Sequence, residues 1–261
     1  MTKSNKKYSG IWIFIEHFNN ELEPISKELL GKGKELSNIT GEELSGIILG
    51  DNIKNLSKDI IAYGADKVYV ADHPELKYFR PLPYTHVVSN LVIKHSPKIF
   101  ILGATTTSNN LASRVAARVD TGLASVCTDY QIGDREYLRK NYKNLLLQIR
   151  PDFNGNYLST IITPNHLPQM ATTGPGVFDS LKKDEKRTGK VIDVDVNIPK
   201  KDCNLIVKEI VTSDKGSDLV KSKIIISGGR GVEKDPEKGF NLIRDFSLSI
   251  NASVGASRGA V

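Results

Sequence analysis

The chain is short of the residues that mark disulfide scaffolds, metal centres and membrane spans. Its two cysteines, Cys127 and Cys203, lie far apart and belong to no Cys-x-x-Cys pair. That spacing argues against a disulfide framework and against an iron–sulfur site. The five histidines, His17, His73, His86, His95 and His166, are isolated. None forms the i, i+4 pair of a zinc-protease helix, so no metal site is expected. No apolar run approaches the roughly 18 to 20 residues of a membrane span. The start, Met1 to Tyr8, is polar and lysine-rich without an apolar signal core, and a cytoplasmic protein is expected. Gly-x-Ser-x-Gly, Walker and His-Glu-x-x-His patterns are missing, and acidic pairs such as Glu42-Glu43 sit in surface-like contexts. Hydrolytic chemistry therefore has no visible nucleophile or base, and no catalytic residue is expected.

Charge of one sign is not concentrated either. Lys and Arg number 36 against 30 Asp and Glu, a formal balance of +6. Residues 213–261 hold eight basic and six acidic residues, so +2, which leaves +4 for residues 1–212. A nucleic-acid binder gathers its excess into a stripe with interleaved aromatics. Here the densest cluster, Lys182-Lys183 with Lys186-Arg187, is broken by Asp184 and Glu185 and reads as a solvated loop. No nucleic-acid partner is expected.

What the chain does have is alternation. Ile11-Trp-Ile-Phe-Ile15 is a continuous apolar run, as in a strand buried on both faces. Strands are expected at 44–49, 67–71 and 98–102, with helices at 22–37, 53–63, 84–95 and 109–119 between or after them. The last helix carries Leu111, Val115 and Val119 on one face. A parallel α/β sheet follows from this order. The pattern then shifts. Residues 123–130, 143–150, 157–163, 190–197 and 203–212 read as strands that extend the sheet with antiparallel members or wrap its edge, and 164–189 as an irregular excursion. Thr212 to Asp218 has linker composition. A fresh β–α–β unit is expected beyond it: strand 222–227, helix 238–251 with an apolar stripe of Phe240, Ile243, Phe246 and Ile250, then strand 252–256.

Three segments are candidates for a site. In the first, Ile224 to Gly231 and Ala252 to Gly259 each run from a strand into small residues and one arginine. Two parallel strands point their ends the same way, and ligands of open parallel sheets sit outside those ends. Gly228, Gly229 and Gly231 let backbone N–H groups approach an anion, Arg230 supplies charge, and Ser257 and Arg258 complete the second edge. A dinucleotide or flavin cofactor needs such a place. The competing reading is two ordinary turns with solvent-exposed arginines. The second candidate, Gly103 to Asn110, offers hydroxyls at a helix start, but it lacks Lys and Arg and reads better as N-capping. The third, Arg150-Pro-Asp-Phe-Asn-Gly-Asn156, is either a hairpin turn or the place where Arg150 faces a cofactor or interface.

At these residues the chain resembles the electron transfer flavoprotein alpha-subunit family, from about residue 8 onward. Ser227-Gly-Gly-Arg-Gly231 and Val254-Gly-Ala-Ser-Arg258 are the most specific matches. Leu111-Ala112, Arg114 to Arg118, Thr121 to Leu123, Cys127-Thr128, Arg150-Pro151, Phe153, Gly155-Asn156, Gln169 to Thr172 and Pro175 to Phe178 add to them. The resemblance implies a mostly parallel, adenine-nucleotide-hydrolase-like α/β domain over 1–212 that packs on a beta subunit. It implies the beginning of a dinucleotide-binding-like FAD domain over 213–261, since the family continues past residue 261. Arg230 would approach FAD near its phosphates, and Ser257 and Arg258 the flavin end. The chain would be an electron carrier subunit rather than a stand-alone enzyme, passing electrons between dehydrogenases, or NADH through the beta subunit, and an acceptor. In electron-bifurcating relatives a second FAD belongs mainly to the beta subunit, and Arg150 would face it. Ser108-Asn109-Asn110, Ser113 and Gly174 depart from the family's usual Gly-Arg/Lys-Asp, proline and arginine. That loss of charge argues against an anion site in the first loop and for an altered partner surface. Two other readings of the residues stay open: an NAD-dependent oxidoreductase subunit, and a nucleotide-binding module without redox role.

Overall fold

The computed structural model describes residues 7–211, 219, 222–232 and 234–260. In chain order the elements are β1 (Ile11–Ile15), the short pair β2 (His17–Phe18) and β3 (Glu21–Leu22), α1 (Pro24–Thr40), β4 (Leu44–Gly50), α2 (Ser57–Ala62) and β5 (Lys67–Asp72). Then come α3 (Pro81–His95), β6 (Ile99–Gly103), α4 (Thr106–Val119), β7 (Leu123–Cys127), β8 (Asp129–Tyr137), β9 (Lys140–Asp152), β10 (Tyr157–Ile161), β11 (Gln169–Thr173) and β12 (Lys190–Asp193). The last three are β13 (Ile225–Gly228), α5 (Pro236–Ser249) and β14 (Ser253–Ala256). The chain divides into two compact units, residues 1–207 and 208–261. The linker expected at 212–218 lies outside the described residues.

The large unit is built on a seven-stranded sheet of order β12-β5-β4-β1-β6-β11-β7, every pairing parallel. Parallel strands need covered faces, and all five residues of β1 and all seven of β4 are buried. Ile11, Ile13 and Ile15 point into one core layer with Ile25 and Leu29 of α1 and Ile60 of α2. Trp12 and Phe14 point into the other with Val88 of α3 and Leu111 and Val115 of α4. Local chemistry marks the helix ends. Pro24 opens α1 and Gly41, at φ 70°, closes it in the left-handed region that glycine tolerates. Helix α3 starts at Pro81, three residues before the expected start, because both prolines fall in a first turn that needs no N–H from them.

Three sequence expectations are corrected here. The strands after α4 do not extend the large sheet with antiparallel members. β8, β9 and β10 form their own antiparallel sheet, while β7, β11 and β12 join the large one in parallel. The excursion at 164–189 contains β11, an inner strand between β6 and β7. Its residues, Gln-Met-Ala-Thr-Thr, are all buried although three are polar. Hydrogen bonds explain the exception. Gln169 Oε1 accepts from the Leu146 N–H at 2.9 Å, Thr172 Oγ1 accepts from the Val126 N–H at 3.1 Å, and the Thr173 and Tyr130 hydroxyls lie 2.5 Å apart. Finally, residues 203–211 carry strand-like composition but form no strand, and Leu205, Ile206, Ile210 and Val211 are exposed. Arg80, bonded to Glu75, instead holds the Leu205 carbonyl at 3.0 Å.

The smaller unit is one β–α–β turn. β13 and β14 pair in parallel, and α5 packs on both. The apolar stripe of α5 is only half used. Phe240 and Ile243 are half-buried and Ser247 is buried, whereas Phe246 is 57% and Ile250 41% exposed. A two-stranded sheet is too narrow to cover the whole stripe.

Gln169 ties β9 to β11 through one buried amide. Replacing Gln169 by Leu leaves the Leu146 N–H buried without an acceptor, at a cost of about 1–3 kcal/mol. Urea denaturation should show a lower midpoint with an unchanged slope.

Candidate functional site

The carboxyl ends of β13 and β14 lie side by side. Gly228 is in register with Ala256, and beyond the last pair the Ser257 N–H donates to the Gly228 carbonyl at 2.9 Å. The two following loops therefore leave the sheet together. A Cβ placed on Gly229 would have the Ser257 hydroxyl as its nearest neighbour, 4.0 Å away, and one on Gly259 would sit 3.5 Å from Arg230 Nε. Arg230, Ser257 and Arg258 are exposed. Arg230 follows the end of β13, and Ser257 and Arg258 follow the end of β14.

The glycines divide by role, which the sequence reading did not separate. Gly228 is buried, and an added Cβ there would meet the Phe240 ring at 2.9 Å and Ile243 at 3.1 Å. Its lack of a Cβ makes room for the packing of α5. Gly255 plays a similar part on β14, where a Cβ would meet the Ser227 hydroxyl at 2.6 Å. Gly229 and Gly231 face open space: a Cβ on Gly231 would meet nothing within 4 Å. These two leave the backbone accessible.

Arg150 belongs to the large unit. It lies on β9 opposite Ser159, half-buried, and its charge is felt by the Cys127 thiol. The hairpin reading of its neighbourhood holds: Phe153–Gly155 turns β9 into β10, with Gly155 at φ 86°. Cys127 ends β7 fully buried, and desolvation pushes its thiol up to about 11 against the pull of Tyr130 and Arg150. Just before it, Val126 adopts φ 57° while half-exposed. A β-branched side chain in the left-handed region is rare and strained. No sequence signal pointed to it.

The Gly103–Asn110 loop caps α4. The Thr105 hydroxyl accepts from the Ser108 N–H at 3.0 Å. What sequence reasoning missed is the group facing it. Thr105 Oγ1 donates to Glu16 Oε2 at 2.8 Å, and Ser108 Oγ donates to Glu16 Oε1 at 2.7 Å. Glu16 directly follows β1, where Ser26 bonds to both its backbone N–H and its carbonyl. Burial raises the Glu16 carboxyl above its ordinary value, the two hydroxyls pulling the other way, and the Glu23 charge adds to the rise. A lone acid directly after a fully apolar strand was the available signal.

A parallel sheet wound outward in both directions from β1 defines a doubly wound α/β protein, followed here by a second β–α–β unit. Residues 11–199 match the family model of the electron transfer flavoprotein domain. Over 255 residues the chain is 38% identical to the electron transfer flavoprotein subunit alpha of Thermoanaerobacterium thermosaccharolyticum, covering 97% of this chain and 74% of that protein. It is 38% identical over 259 residues to the protein FixB of Clostridium saccharobutylicum, with 97% and 73% covered. The lactate dehydrogenase (NAD(+),ferredoxin) subunit LctC of Acetobacterium woodii is 35% identical over 251 residues, with 96% of this chain and 58% of that protein covered. The chain belongs to the electron transfer flavoprotein alpha-subunit family.

The division among glycines has a direct check. Gly228→Ala drives a methyl into Phe240 and Ile243 and should cost about 1–3 kcal/mol. Gly231→Ala meets nothing and should stay within about 0.5 kcal/mol of wild type. Thermal unfolding of the two variants, followed by circular dichroism, separates them.

Proposed function

We propose that the smaller unit holds FAD outside the ends of β13 and β14, and that the chain works as one half of a heterodimer with an electron transfer flavoprotein beta subunit. The chain is an electron transfer subunit by family. The observation that carries the cofactor reading is the hydrogen bond from Ser257 N–H to the Gly228 carbonyl. It brings two arginines and two open glycines onto one edge. That set suits the group: accessible backbone at Gly229 and Gly231 for phosphate oxygens, and guanidinium charge to pair with them.

FAD, when bound, supplies reversible electron storage. The residues of this chain hold and tune it. Arg230 pairs with the phosphates. Ser257 and Arg258 lie toward the flavin end, where a cation stabilises the reduced, anionic form and raises the potential. The likeness to a subunit of an NAD- and ferredoxin-linked lactate dehydrogenase favours a place in an electron-bifurcating complex with a dedicated dehydrogenase. Arg150 on β9 would then face the second flavin across the subunit boundary.

The purified heterodimer tests the reading. Its visible spectrum should show bound flavin, and the ratio of FAD to heterodimer separates one flavin from two. Arg230→Ala removes a charged hydrogen-bond donor worth about 1.5–3 kcal/mol and should weaken FAD binding about 10- to 100-fold. Arg258→Ala should lower the flavin potential by about 30–60 mV, the same energy expressed for two electrons. A colourless heterodimer that still reduces a small substrate with NADH would point instead to an NAD-dependent oxidoreductase.

A further inference from the structure

We propose that the large unit carries a self-occupied anion site: Glu16 fills the crevice where the strand order reverses, in the place a nucleotide phosphate takes in doubly wound folds, and thereby keeps nucleotides out of this unit. The inference is independent of the FAD site in the smaller unit.

The place is defined by topology. From β1 the chain winds outward through β4 and β5, then returns to start β6 on the other side of β1. Ligands of such sheets bind in the crevice between those two strand ends, with phosphate at the start of the following helix. Here the two ends are Glu16, directly after β1, and Ala104-Thr105, directly after β6. The crevice is flanked by α1 on one face and α4 on the other.

The crevice is built around the Glu16 carboxylate. One of its oxygens takes the Thr105 hydroxyl and the other takes the Ser108 hydroxyl, at 2.8 and 2.7 Å, on the first turn of α4. The backbone of Glu16 is pinned at both polar groups by Ser26, and its carbonyl also accepts from the Glu23 N–H at 3.0 Å. Gly103 makes room for it: a Cβ there would come within 2.5 Å of Glu16 Oε1. The positive end of α4 and two hydroxyls would otherwise be open to a phosphate group. A carboxylate placed there supplies the negative charge and repels a second anion.

The neighbouring strand ends repeat the device. Asp72, at the end of β5, accepts from the consecutive N–H groups of Asn52 and Ile53 at 2.7 and 3.0 Å, in the turn after β4. Successive backbone N–H groups of this kind form an anion nest, and again a carboxylate of the chain itself fills it.

The test uses the FAD-loaded heterodimer with inorganic phosphate as probe. Hydrogen exchange of the peptide covering residues 104–109 is followed with and without phosphate, in wild type and in Glu16→Ala. Wild type should show no phosphate-dependent protection there. Glu16→Ala should gain it, with phosphate bound at least about tenfold more tightly at this peptide, the scale of one charged group. Glu16→Gln, which still fills the space, should gain little. If Glu16→Ala does not fold, Glu16→Ser replaces it, and the wild-type measurement decides on its own if neither folds. Protection of 104–109 in wild type, or a folded Glu16→Ala that gains none, overturns the proposal. The flavin spectrum is read in the same samples, so loss of FAD from the smaller unit is not mistaken for failure here.

Discussion

A parallel sheet buried on both faces leaves its strand ends as the main place where backbone polar groups meet a ligand. That constraint governs both units. In the large one, layers of helices cover β1, β4 and β6 so completely that Trp12 and Ile13, adjacent in sequence, belong to different cores. What remains open to chemistry is the carboxyl edge, and there Glu16 and Asp72 take up N–H groups and hydroxyls from within the chain. In the smaller unit the corresponding edge carries guanidinium groups and bare backbone. The same geometry is thus furnished with opposite charge in the two units.

Much of the first half of the fold was readable from apolar runs. β1 and β6 are continuous apolar stretches, and β4 and β5 carry apolar cores at Ile47–Leu49 and Val68–Ala71, because both their faces are covered. β11 escaped for the opposite reason. Its burial rests on hydrogen bonds made by Gln169, Thr172 and Thr173 to partners that only the folded chain brings near. Residues 203–211 misled in the other direction, because β-branched composition reports a preference and not the presence of a neighbouring strand.

The strand-end arginines were visible because a lone charge between small residues stands out. That the two segments carrying them leave neighbouring strand ends follows from the parallel pairing of β13 and β14. The separate duties of Gly228 and Gly231 could not, since one letter serves both packing and openness. Glu16 stood out as a lone acid after an apolar strand, but its role did not, since its partners lie 89 and 92 residues away. Long-range polar pairing leaves no period in a sequence.

The burial of Cys127 has a consequence for a protein whose trade is electrons. Thiolate, not thiol, reacts with peroxides on the way to sulfenic acid. A sulfur held protonated beneath the sheet edge, with Tyr130 beside it, gives oxidants almost nothing to attack. Cys203, half-buried, is also shifted upward, by desolvation first and then by the Glu75 charge. The thiol that ends β7 is therefore held in its protonated, unreactive form.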